Sequence, residues 1–236
     1  MKIDKIIFFT FLLFVVGFLT FRISLAYFSD SGTSSNNVLS ASAEFPSPTP
    51  QVANHIVISE VQLHGGNANE DFVELYNPTN SAINLSGWEI RVKGSSGADS
   101  SLVLIPSGKS IPAHGFFLWS NDQGTYETDI GADVSNGNNI GENNSLKLED
   151  ASDNPVDQVG WGNVVGHYVE GTPYANFSAS FQSIERKAYS SSTTVSMSTG
   201  GSDIDKGNAF DAGNNLTDFI TRTSQPQNST SSPETP

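Results

Sequence analysis

The sequence has no cysteine, a shortage of basic residues, and no long apolar run beyond its first 25 positions. Without cysteine there is no disulfide framework, no thiolate nucleophile and no Cys-ligated zinc or iron–sulfur site. Eleven Lys/Arg stand against 25 Asp/Glu, a formal charge of −14. A surface of that sign repels phosphate, so nucleic acid is excluded as a partner. The histidines at 55, 64, 114 and 167 show no paired ligand spacing, and no Gly-x-Ser-x-Gly elbow is present. His114, beside Gly115, reads as a turn residue. Beyond the leader no window has the 3.6-residue periodicity of an amphipathic helix. Catalysis is therefore not expected.

What is present begins with Met1-Lys2-Ile3-Asp4-Lys5 and the apolar run Ile6–Phe21, followed by the small residues Ser24 and Ala26. This is the basic, apolar, small-residue order of an export signal, and residues 1–26 are read as a signal peptide or membrane anchor. Contact with a membrane would then run only through residues 6–25. Removing the leader takes away Lys2, Lys5 and Arg22 but only Asp4 among acids, which deepens the charge from −14 to −16. The run Ala26-Tyr27-Phe28-Ser29-Asp30 through Ala41 resembles the leader and first mature residues of bacterial camelysin-type and biofilm-fibre proteins, which implies export. Ala41-Ser42-Ala43-Glu44-Phe45 departs from that family, so only the leader is shared. Residues 27–52, ending in a Pro-alternating stretch, read as a linker, and 223–236, which lacks core-forming side chains, as a disordered tail.

Between them lie short β-branched and aromatic runs punctuated by Gly, Asn and Pro: Ile56–Val61, Asp71–Pro78 and Leu85–Ile90. Trp88, Ile90 and Val92 alternate with Glu89, Arg91 and Lys93, the period of a half-buried strand. Further strands are expected at Leu102–Ile105, Phe116–Ser120, Ser145–Glu149, Val156–Trp161 and Ser183–Arg186. The expected fold over 53–222 is all-β, an immunoglobulin-like antiparallel β-sandwich preceded by one N-terminal hydrophobic helix.

The succession Phe72-Val73-x-Leu75-x-Asn77, Gly87-Trp88-x-Ile90, Ile111-Pro112-Ala113-His114-Gly115, Asn144-Ser145-Leu146-x-Leu148 and Asp153-x-Pro155-Val156-Asp157 resembles the lamin tail domain, bacterial exported type, from about Ile56 to about Arg186. The resemblance implies a binding or structural module without a catalytic constellation. Glu60, Phe72, Glu74, Asn77, Gly87, Trp88 and Arg186 are then scaffold, with Glu60 and Glu74 expected to be hydrogen-bonded or paired with Arg91 or Arg186, as buried charges require. Trp119, Phe116, Phe117, Trp161 and Tyr168 could form a ligand platform, but core packing is the expected use. Asp203, Asp205 and Asp211 around Gly207 offer alternating oxygen ligands for calcium, the one cofactor the residues suggest.

The expected function is a non-catalytic interaction or structural module at the cell surface or in the extracellular matrix, binding a protein or glycan. The alternatives are a self-assembling envelope or fibre component, or a calcium-dependent adhesion module.

Overall fold

Twelve strands form among the described residues, eight of them where the sequence runs predict strands. They are β1 (Val57–Gln62), β2 (Phe72–Tyr76), β3 (Ile83–Asn84), β4 (Glu89–Lys93), β5 (Asp99–Leu104), β6 (Ser110–Ile111), β7 (Phe116–Asn121), β8 (Val134–Asn136), β9 (Ser145–Glu149), β10 (Pro155–Gly160), β11 (Gln182–Arg186) and β12 (Phe219–Thr223). Two single-turn helices, α1 (Tyr126–Asp129) and α2 (Asn215–Asp218), interrupt them. The computed structural model describes residues 51–164 and 166–236. The expected leader with its helix, and the linker up to residue 50, lie outside the described residues. Among the described residues no helix is long and apolar enough to cross a membrane.

The strands make a sandwich. One sheet has the order β12-β11-β1-β2-β7-β8 and the other β10-β9-β4-β5, with β3 and β6 pairing separately. Their facing sides share one apolar core in which Ile58, Val61, Val73, Leu75, Phe117, Trp119 and Ile184 meet Ile90, Val92, Leu102, Leu146, Leu148 and Val159. Removing this area from water supplies the main driving force, about 25 cal/mol per Å² of apolar surface. Trp161 and Phe177 close it with ring centroids 5.8 Å apart. The aromatic side chains pack as expected: Trp119, Phe117 and Trp161 lie in this core, Phe116 is buried on the other face of its sheet, and only Tyr168 is partly exposed.

One ladder departs from the antiparallel expectation, because β8 runs parallel to β7, with Trp119 opposite Val134. The connection turns through α1 instead of closing a hairpin. Asp133 fixes its return, donating its N–H to Leu118 O at 2.9 Å and accepting the Leu118 N–H on Oδ2 at 2.8 Å.

Arg186 and Asp157 join the sheets. Both side chains are fully buried, with Arg186 Nη2 at 3.1 and 2.9 Å from the two Asp157 oxygens. Arg186 also donates from Nε to Ile58 O at 3.1 Å and from Nη1 to Phe210 O at 3.2 Å. Asp157 accepts the Ile58 N–H at 2.6 Å. Register breaks between Ile58 and Glu60 on β1 and between Pro155 and Asp157 on β10 lie where these contacts are made, as bulges that re-aim a group do. Glu60 and Glu74 are hydrogen-bonded, to Ser183 and Ser59 among others, and the alternative of pairing with Arg91 or Arg186 is corrected. Arg186 faces the core side and takes Asp157, whereas Arg91 pairs with Glu89 and Asp99.

The expectation of disorder at 223–236 is corrected as well. Thr223 ends β12, opposite Gln182, and 224–236 runs on as a strap. Ser224 donates its N–H to Phe181 O at 3.1 Å, Glu234 donates to His114 O at 2.8 Å, and the Ser229 N–H donates to Asp133 Oδ2 at 3.0 Å. At the other end Gln51 and Val52, assigned to the linker, run with Ala53 beside Ala209–Asp211, with Ala53 N donating to Ala209 O at 2.8 Å.

Replacing Asp157 by Asn would leave the buried guanidinium with only Asp211, 3.7 Å away and partly exposed, as a counter-ion. The expected loss is about 3–5 kcal/mol in urea unfolding; a loss below about 1 kcal/mol would show that the pair does not tie the sheets together.

Candidate functional site

All six residues of β1 and all five of β2 are buried, so the sheet face away from the sandwich core is covered too. Val57, Tyr76 and Phe116 form a small apolar cluster there with Ala53 and Ala209. Beside it, alternation sends three glutamates to the same face, since their chain neighbours Val61, Val73, Leu75 and Ile184 all point into the core. Glu60 lies directly opposite Glu74 on one side and Glu185 on the other. Like charges at opposed positions repel, and here they are also buried, at 2%, 1% and 8% exposure.

Each carboxylate is met by donors. Glu60 accepts the Ser183 hydroxyl and the Gln225 N–H, the latter at 3.1 Å. Glu74 accepts the Ser59 hydroxyl and the Gln227 N–H, both at 2.6 Å. Glu185 accepts Asn208 Nδ2 at 2.9 Å and Arg222 Nη1 at 2.7 Å. The strap therefore lies on this face by giving alternate backbone N–H groups to neighbouring strands, and the Tyr76 hydroxyl holds Glu234 O farther along. Burial pushes Glu60 up to about 7 and Glu185 up to about 8, with Glu60 adding to the latter. Burial, then Glu60, raises Glu74 well above the usual range.

Beside the ladder, a cavity of about 230 Å³ opens between the strap and the segment 203–208, lined by Glu185, Arg222, Asp203, Asp205 and Glu234. A second carboxylate group lies elsewhere. Oxygens of Glu170, Asp211 and Asp218 are all within 4.8 Å of one another, a spacing that could hold a metal ion. Burial raises Glu170 to about 8, with Asp157 next in effect, and burial raises Asp218. The calcium triad read from the sequence is thus divided: Asp203 and Asp205 line the cavity, while Asp211 joins the Glu170 group and stands 3.7 Å from Arg186 Nη1.

The remaining motif residues hold loops or fill space. Asn77 donates from Nδ2 to Ser81 O and Pro112 O, each at 2.8 Å, and accepts the Thr79 N–H at 3.0 Å. Gly87 turns the chain into β4 at φ +79°, where a side chain would be strained. Phe72 is fully buried in β2, and Trp88 is half-buried against the core. His114 is a turn residue at φ +54°, with Nε2 2.8 Å from Asn80 Oδ1. Sequence reasoning missed Glu185 and Glu170. The Glu185 signal was its place next to Ile184 in β11, on the same face as Glu60.

A buried carboxylate ladder under a polar strap, on a two-sheet all-β scaffold, defines a sandwich module whose titrating groups are tied into hydrogen bonds. Residues 49–163 match the family model described as Lamin Tail Domain, which supports the lamin tail domain family for that segment, a family of immunoglobulin-like interaction domains. The match ends before β11, so Glu185, Arg186, β12 and the strap lie beyond it. No curated protein matches the chain.

The ladder predicts a pH dependence. Glu60 and Glu185, usually near 4.5, hold protons in the fold up to about 7 and about 8. Their contribution to stability is full below the usual value and is lost as pH rises through those folded values. Asp99, Asp150 and Asp203 are held low and act only below the usual 3.8. The urea midpoint should therefore fall from about pH 5 to about pH 9, and less steeply in Glu74→Gln; a midpoint that rises across this range contradicts the assignment.

Proposed function

We propose that the chain is an exported, non-catalytic interaction module at the cell surface or in the extracellular matrix, with an immunoglobulin-like sandwich presenting its loops and outer face to a protein partner. The observation that carries this reading is the lamin tail domain match over residues 49–163. It is supported by the use made of the buried carboxylates, which are held by backbone amides, serines, asparagine and arginine as a scaffold holds them. The basic, apolar and small-residue order of positions 1–26 supports export.

The purified full chain should be monomeric across a hundredfold range of concentration in light scattering, and should turn over no esterase, phosphatase or glycosidase substrate. Concentration-dependent polymers would favour a fibre component, and turnover would overturn the non-catalytic reading.

A calcium-dependent adhesion module is the second reading, favoured by the close approach of Glu170, Asp211 and Asp218. Extracellular modules bind calcium at about 0.1–1 mM. On this reading several millimolar calcium raises the melting temperature by about 3 °C, magnesium at equal ionic strength does not, and Asp211→Asn removes the effect. Equal shifts with both ions would reduce it to charge screening.

A further inference from the structure

Two buried side chains on neighbouring strands leave atoms of opposite character without partners. Glu185 is 8% exposed and its Oε2 has no hydrogen bond; Arg222 is 7% exposed and its Nε has none. Both residues line the cavity of about 230 Å³ between the strap and the 203–208 segment. Their remaining atoms are engaged, with Glu185 Oε1 accepting from Arg222 Nη1 and Asn208, and Arg222 Nη2 donating to Gln225 Oε1 at 2.7 Å. Each buried polar atom left unpaired costs about 1–3 kcal/mol, so an acceptor and a donor left together point to a ligand that supplies both complements.

The charge of the cavity selects the ligand's sign. Glu185, Asp203, Asp205 and Glu234 outnumber Lys206 and Arg222. The strap brings Glu234 as its one charged side chain and no cation of its own. Among the described residues, the carboxylate group gathered within 4.8 Å is Glu170, Asp211 and Asp218, not this one. The cavity therefore suits an organic cation that needs one close carboxylate better than a chelated metal ion.

We propose that this cavity receives a Lys or Arg side chain of an extended partner polypeptide, with Glu185 Oε2 taking the cationic head and Arg222 Nε taking a carbonyl oxygen of the same peptide. The inference deepens the interaction-module reading and rests on it. It gives the partner a chemistry, a basic extended segment, and gives the strap a role as one wall of the receptor pocket. Charge-assisted hydrogen bonds of this kind are about twice as strong as neutral ones. The strap and β12, which build the pocket with β11, lie outside the segment matched to the family model.

The test uses the full chain at pH 9, above the value of about 8 at which Glu185 gives up its proton and below that at which lysine loses its own, and the peptide acetyl-(Ser-Lys)4-amide, with its Nζ-acetylated form as the uncharged control, following the Arg222 Nε–H resonance by NMR. The expected result is a saturable shift with the lysine peptide and none with the acetylated one. Glu185→Gln should weaken binding at least about tenfold and the exposed-site change Asp205→Asn about threefold. Glu142→Gln, on an exposed carboxylate outside the cavity, should leave it unchanged. Equal shifts with both peptides, equal losses in Glu142→Gln and in the cavity variants, or no saturable shift, as for a cavity holding only water, would each overturn the proposal. Should Glu185→Gln not fold, Asp205→Asn against Glu142→Gln decides the question. Failure here with a monomeric, inactive chain removes the basic-peptide assignment alone, whereas turnover or polymerisation would remove the reading beneath it.

Discussion

The guanidinium of Arg186 is fully buried, and the two sheets, strand β1 and the 209–211 segment all depend on where it goes. Its contacts reach Asp157 on β10, the Ile58 carbonyl on β1 and the Phe210 carbonyl, while its planar group lies 4.7 Å from the centroid of the Phe219 ring. Burial pushes the Asp157 carboxyl up, and Arg186 and the Ile58 N–H pull it back. A pair of this kind adds little net stability over apolar side chains of the same shape, because desolvation offsets the attraction. It imposes position instead. The guanidinium fork is met by a carboxylate and two carbonyls only when the bulges of β1 and β10 face each other, and that fixes the registry of one sheet on the other.

With registry fixed, the other face of the six-stranded sheet follows from alternation. Val61, Val73 and Ile184 are committed to the core, so Glu60, Glu74 and Glu185 must turn outward together. Opposed carboxylates could have stayed apart in water. They are instead covered by 224–236, whose backbone amides reach Glu60 and Glu74, while Arg222 meets Glu185 from β12. The strap is held by polar contacts with little apolar burial of its own, so its hold depends on the protonation and placement of the side chains beneath it.

Much of the scaffold was legible from local pattern. β9 spans the expected Ser145–Glu149, and the expected strands at Phe116–Ser120, Val156–Trp161 and Ser183–Arg186 lie within a residue of β7, β10 and β11. These runs alternate, and turn residues mark their ends. β8 escaped notice because three residues carry no readable period, and a parallel partner across α1 leaves no hairpin signal. The strap escaped because composition reports what a segment can bury, not what it can donate. Its amides are satisfied by carboxylates more than 150 positions away in the chain. The same distance effect misled the assignment of Glu60 and Glu74: their burial was readable, but their serine and amide partners depended on strand order. Asp203, Asp205 and Asp211 looked like one ligand set because they are close in sequence, yet the chain between them turns and sends Asp211 to Arg186 and Glu170.

The lamin-tail-like segment thus provides β1 to β10, and β11, β12 and the strap complete one sheet and close its outer face. Buried glutamates hold the strap through its backbone. Amide hydrogen exchange at Gln225 and Gln227 in the full chain measures this directly. Strong protection is expected at both positions, lost together in Glu60→Ala/Glu74→Ala, which removes the accepting oxygens, while the β2 and β7 amides stay protected. Exchange at the rate of an unstructured peptide in the unaltered chain would contradict it.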